Sequence, residues 1–242
     1  MIKERGNREQ GTGNREQGRD FGQLYFSLLM SVFFRLPTYN ITVNLNAFVF
    51  MDNSNLKLGK YLTLEEFCTC TQTYHKYAKN INPYPQNLPE VIPALQDLNK
   101  FIIDPIIDYF GRDKFDLTYG FCSSDLKKYL EKKDPVTGQK NGRVAPNLDQ
   151  HMSHEINKNG QYYCQRLGAA CDFLIRDLPS TELVEWILQS KLPFDSLYFY
   201  SNYQPIHISY GQQHKRDIWT FNNLGTPTKK GIENWIKLAK QT

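Results

Sequence analysis

Hydrophobic residues recur at helical spacing behind capping boxes in the first half of this chain's regular region, and most of its short strand-like runs come in the second half. Thr63-Leu64-Glu65-Glu66 is a capping box that starts a helix and turns Phe67 inward. Asn87-Leu88-Pro89-Glu90 reads as a second box, with proline tolerated in the first turn and Val91, Leu95, Leu98 and Ile102 following at helical spacing. Pro105 is expected to kink or break that helix, and Gly111 lies past the apolar run Ile106, Ile107, Tyr109, Phe110. A strand over 115–119 and a short helix over 124–132 come next. Three strands are predicted over 170–175, 196–200 and 205–210, with Ser180 capping a helix that carries Leu183, Val184 and Ile187. A strand over 217–221 precedes a C-terminal helix with Ile232, Trp235, Ile236 and Leu238. Helices first and strands later predict an α+β fold with a small, mostly antiparallel sheet, not βαβ units.

Two regions stand apart from this pattern. Asn7-Arg8-Glu9-Gln10-Gly11 recurs as Asn14-Arg15-Glu16-Gln17-Gly18, a heptad with no apolar positions and so no coiled coil. It reads as disordered low-complexity sequence. The apolar run 24–34 has two readings: a signal-peptide h-region or anchor, or a buried element or sequence ahead of an internal start at Met30 or Met51. Residues 1–50 are therefore set apart from a domain over 51–242. Residues 133–148 read as a polar linker.

Several function classes fall away on composition. A net charge of +4 argues against a broad nucleic-acid-binding face, and no apolar run is long enough for a stable membrane span. Five scattered cysteines do not make a disulfide scaffold; free thiols fit a reducing compartment, which favours the cytoplasm over export through 24–34.

Two strands carry polar side chains that an apolar strand does not need. In Ile206-His207-Ile208-Ser209-Tyr210, alternation puts the imidazole opposite two isoleucines. In Ala170-Cys171-Asp172-Phe173-Leu174, a carboxylate interrupts small and apolar residues, and a buried carboxylate costs several kcal/mol unless paired or metal-bound. With His151 these make a His/Asp/His set, which suits zinc with an open fourth position. The bland alternative is a core histidine with its hydrogen bonds met, and spacing alone leaves both open.

Five segments carry a resemblance. YLTLEEFCTC is similar to F-T-x-x-E-F; NINPYPQNLPEVIPALQDLNKFIIDPIIDYFG to N-x-P … L … L … V-L-D-P-L-R-x-x-F-G; LTYGFCSSDL to S-G-Y-R-S-x-x-L-N. DQHMSHEINKNGQYYCQRLGAACDF resembles a split S-x-H-x-x-G-x-A-x-D, and LPFDSLYFYSNYQPIHISYG resembles L-P-F-D-Q-L-I-x-E … W-x-H-x-S. In this order, over residues 59–211, they resemble the zinc D-Ala-D-Ala carboxypeptidase and hedgehog-type metallopeptidase superfamily, especially its phage-endolysin-like branch. The resemblance implies a zinc-carrying hedgehog/DD-peptidase-like fold. It also implies a hydrolase, of carboxypeptidase or endopeptidase type, acting on peptide or peptidoglycan (cell-wall) fragments.

Position by position, the resemblance puts the zinc ligands on His151, Asp172 and His207. The chain departs from the pattern in three places. Twenty residues separate His151 from Asp172 where the pattern has six; a looped-out insert is tolerable because closure entropy grows slowly with length. Closing the gap would put Gln165, a poor ligand, at the first position, so His151 is preferred with His154 in reserve. The catalytic glutamate falls on Tyr200, a poor base but a competent donor to an oxyanion. Glu155 and Asp195 are the neighbouring carboxylates, Asp195 reading as a structural partner. The substrate-carboxylate arginine falls on Cys122, beside Ser123. Arg166 in the insert either replaces it or is a solvated surface residue. Cys171 points opposite Asp172, and Cys68 and Cys70 read as packing residues at a helix start. The dense aromatics Tyr198, Phe199, Tyr200, Tyr203 and Tyr210 read as core on one strand face and cleft wall on the other. Alternatives to a peptidase are a binding module on the same scaffold, or a hydrolase of another substrate.

Overall fold

A computed structural model describes residues 55–221 and 227–229, within a compact unit Phe50–Thr242. The heptad repeat, the apolar run 24–34 and the C-terminal helix lie outside the described residues.

The first helix, α1 (Leu64–Thr69), starts at the expected capping box: Thr63 Oγ1 accepts the Glu66 N–H and Glu66 Oε2 accepts the Thr63 N–H. Phe67 and Cys68 are buried, while Cys70 caps the C-terminal end rather than the start. Helix α2 (Gln72–Tyr77) follows, capped by Thr71. Helix α3 (Leu88–Leu98) has Asn87 at its N-cap, but the Asn87 side chain makes no cap bond. Its Nδ2 donates instead to His154 O, and Glu155 Oε1 accepts the N–H groups of Gln86 and Asn87. The local box is displaced by a carboxylate from far along the chain.

Pro105 does not end this helical run. Helix α3 passes through a π-helical segment, Asn99–Ile103, into α4 (Asp104–Phe110). Asp104 N–H reaches back five residues to Asn99 O, so the missing N–H of Pro105 falls in the first turn of α4, where no intrahelical partner is required. Gly111, at φ 96°, stops α4 as expected.

Strand β1 (Phe115–Tyr119) leads to α5 (Ser124–Glu131), capped by Ser123. After β2 (Ala169–Ile175) comes α6 (Ser180–Gln189), whose N-cap is Pro179. Ser180 does not cap; its hydroxyl donates to Gln204 O. Strands β3 (Ser196–Phe199), β4 (Ile206–Tyr210), β5 (Asp217–Phe221) and β6 (Pro227–Lys229) complete a sheet of order β1-β2-β4-β3-β5-β6. All pairings are antiparallel except β3 with β5. The architecture is thus α+β, helices before a mostly antiparallel sheet.

Period-two alternation splits the sheet into two faces. Cys171, Phe173, Leu197, Ile206, Ile208 and Ile218 join the helices in the main core with Phe67, Leu95, Leu98, Ile102 and Ile106. Each such side chain contributes about 1.5–3 kcal/mol of burial. The other face carries the polar residues. No helix among the described residues is long and apolar enough to cross a membrane.

Candidate metal centre

One row of residues crosses the polar face in register. Tyr119 of β1 lies opposite Asp172 of β2, Asp172 opposite His207 of β4, His207 opposite Tyr198 of β3, and Tyr198 opposite Trp219 of β5. Neighbouring strands stand about 4.8 Å apart, so side chains in one row meet. This is why an aspartate and a histidine 35 positions apart touch.

His151 comes down on this row from a tight turn. Gln150 and His154 flank it with φ of 59° and 65°. Gln150 Nε2 donates to Leu167 O and to Asp195 Oδ2, which pins the turn. Asp149 Oδ1 accepts the His151 N–H at 3.3 Å, and Cys122 N–H donates to His151 O at 3.0 Å. The imidazole lies against Tyr119, with ring centroids 4.1 Å apart, and the His207 ring stacks on Tyr198 at 4.4 Å.

Three ligand atoms converge. His151 Nε2 lies 3.2 Å from Asp172 Oδ1, His207 Nδ1 lies 2.8 Å from the same oxygen, and the two ring nitrogens are 3.2 Å apart. Tetrahedral zinc with ligands at about 2.0–2.1 Å sets its donor atoms about 3.3 Å apart, so the triangle needs only slight opening. His151 Nδ1, 2.8 Å from Gly120 O, is oriented as its donor. That bond leaves the Nε2 lone pair facing the triangle, the arrangement usual behind a metal-bound imidazole. Burial is the largest single influence on His151 and pushes its pKa down, but the Asp172 charge and hydrogen bond, the Asp149 charge and the Gly120 carbonyl together raise the group to about 9. Burial raises Asp172, yet His151 and then His207 hold it well below the usual carboxylate range. Without a metal, the site traps a proton between acid and base. A divalent cation in the same place would satisfy all three donors. The donor set suits zinc without excluding other divalent metals.

A cleft of about 280 Å³ opens above this floor. Its wall includes Tyr200, Phe221, Arg143, Arg166 and Asp149. Tyr200 stacks on Phe221 with centroids 4.7 Å apart. Desolvation, then the Asp172 charge, pushes its phenol above the usual range, so it remains a donor at neutral pH. Arg166 is no free surface residue: it donates to Ser196 Oγ and Leu148 O and lines the cleft.

Other expected site residues lie elsewhere. His154 does not join the triangle; its Nε2 accepts the Gly168 N–H and its Nδ1 faces Glu90 at 3.5 Å. Glu155 is fully buried beneath the start of α3. Asp195, also buried, accepts from Gln150 and from the Lys215 N–H. Neither lines the cleft. Cys122 is buried in a second core cluster with Leu126, Leu130 and Met152. Ser123 caps α5 and donates to Asn82 O. Neither is placed to grip substrate.

Sequence reasoning missed Tyr119, Arg143, Leu148 and Asp149. Three of these come from, or directly follow, the segment read as a linker, where composition alone marked the residues as solvated. Asp149, two positions before His151, is the carboxylate that the cleft holds besides Asp172 among the described residues. The chain matches no protein-family model, and neither a curated protein nor a solved structure matches it.

Proposed function

We propose that the protein is a divergent zinc peptidase of the D-Ala-D-Ala carboxypeptidase and hedgehog type, acting on peptidoglycan peptides. The observation that carries this reading is the convergence of His151 Nε2, Asp172 Oδ1 and His207 Nδ1 at the bottom of an aromatic-walled cleft. When bound, zinc would supply a Lewis acid and lower the pKa of a coordinated water. The chain's own residues divide the remaining work. His151, Asp172 and His207 hold the ion, with Gly120 O and the two tyrosine rings fixing the imidazoles. Asp149, at the cleft wall, takes the proton of the attacking water. Its two oxygens also anchor the His151 and Ala145 amides, so it is held in place. Tyr200 donates to the oxygen of the carbonyl under attack. Arg143 and Arg166 give the cleft positive charge that suits the carboxylates of stem peptides.

The test is metal content followed by turnover. Purified protein should carry about one zinc per chain, as a three-ligand site requires, and His207→Ala should lose it. Cell-wall fragments should be cleaved only by the zinc-loaded form. A folded wild-type chain that takes up no zinc would refute the reading. Tyr200 at the glutamate position and the burial of Cys122 favour a second reading, a binding module on the same scaffold. Zinc retained with no cleavage, and Asp149→Asn indistinguishable from wild type, would select it.

A further inference from the structure

The cleft is not the end of the depression that contains the metal centre. A groove of about 470 Å³ adjoins it, and Tyr119 and Arg143 line both. The cleft alone falls just short of the roughly 300–1,000 Å³ typical of small-ligand pockets, whereas the groove exceeds it in size. One wall of the groove is Asp116–Tyr119 of β1; the other is formed by Cys70 to Thr73, at the junction of α1 and α2.

Among the described residues, strand β1 is the terminal strand of the sheet and pairs only with β2. Its remaining backbone edge therefore faces away from β2. Among the described residues, no backbone hydrogen bond outside the sheet is made by residues 116–119. An open strand edge offers alternating N–H and C=O groups, which match an extended polypeptide. The groove's charges, Asp116 and Arg143, are of opposite sign and form no cationic track for a polyanion. Register connects the edge to the chemistry: Tyr119, the last residue of β1, lies directly opposite the ligand Asp172.

We infer that the outer edge of β1, unpaired among the described residues, binds an extended peptide as an added strand, leading its chain over Tyr119 into the metal cleft. The substrate is then a peptide that continues beyond the cleft, and the enzyme cuts within it rather than removing one terminal residue. This inference rests on the proposed function for the cut, but not for the binding.

The experiment measures binding without turnover. Calorimetry on the full-length wild-type chain, with chelator present, would use N-acetylated peptides of alanine and glutamine, two and six residues long. Two hexapeptides N-methylated at alternate amides, one for each register, would complete the set. The hexapeptide should bind about ten-fold tighter than the dipeptide, the return from two further ladder hydrogen bonds. N-methylation in one register should remove that gain, as should Gln72→Trp, which plugs the groove from an exposed position. Equal affinities for the two lengths, or indifference to N-methylation in both registers, would overturn the inference. A chain that binds no zinc can still show the length effect, and a zinc peptidase can lack it, so the two failures are separable.

Discussion

Gly120 links the core to the candidate metal site, and Gly120→Ala tests that link. Its carbonyl orients His151 at 2.8 Å. A Cβ at this position would lie 2.1 Å from Phe67 O and 2.8 Å from Phe67 Cδ1. Phe67 is fully buried, and its carbonyl already accepts the Phe121 N–H at 3.0 Å, so it cannot swing aside. The end of β1 must retreat from 2.1 Å to about the 3.4 Å at which ordinary contact begins. A shift of that size breaks a 2.8 Å hydrogen bond. Overpacking of this kind costs about 1–3 kcal/mol of stability. Loss of the partner behind a ligand imidazole weakens metal binding by about 10–100-fold. Urea unfolding gives the first quantity, and competition for zinc against a chromophoric chelator the second. Gly160→Ala is the control: a Cβ there meets nothing within 4 Å, and φ is +73°. It should cost about 1–2 kcal/mol of backbone strain and leave zinc affinity unchanged. A folded Gly120→Ala protein that binds zinc as tightly as wild type would refute the role given to the Gly120 carbonyl.

Two further outcomes are expected. His151 is raised from 6.5 to about 9 in the metal-free protein, so its contribution to stability is complete below pH 6.5 and is lost as pH rises through about 9. Urea midpoints of chelator-treated protein should fall over that window, and zinc, which replaces the proton, should abolish the fall. Glu155→Ala strands the Gln86 and Asn87 N–H groups, at about 1–3 kcal/mol for each donor. It should lower the unfolding midpoint while zinc content per folded molecule stays at the wild-type value; loss of zinc would contradict a purely structural role.

Local rules made much of the fold legible. The Thr63 cap, the Gly111 stop and strands β1 to β5 depend on residues a few positions apart, and alternation placed His207 and Asp172 on the polar face; the short β6 had no such signal. What escaped was set by distant partners. Asn87 has the right neighbours for a cap, yet Glu155, 68 positions away, displaces it. Proline chemistry predicted a break at Pro105, but a π turn absorbs the missing donor. Arg143 and Asp149 look solvated in a polar segment, because nothing local signals that Tyr198 and Arg166 tether Leu148 beside the cleft. The parallel pairing of β3 with β5 likewise has no local signature.

The three donors reach the site from a turn and two strands, and the polypeptide between them is long. A resident zinc would act as a reversible rivet across two chain loops, one from 151 to 172 and one from 172 to 207. A hundredfold excess of free ion over its dissociation constant adds about 2.7 kcal/mol to folding. Under metal starvation that increment vanishes, the opened population grows about a hundredfold, and cellular proteases gain access to it. The protein's lifetime in the cell would then track the zinc supply.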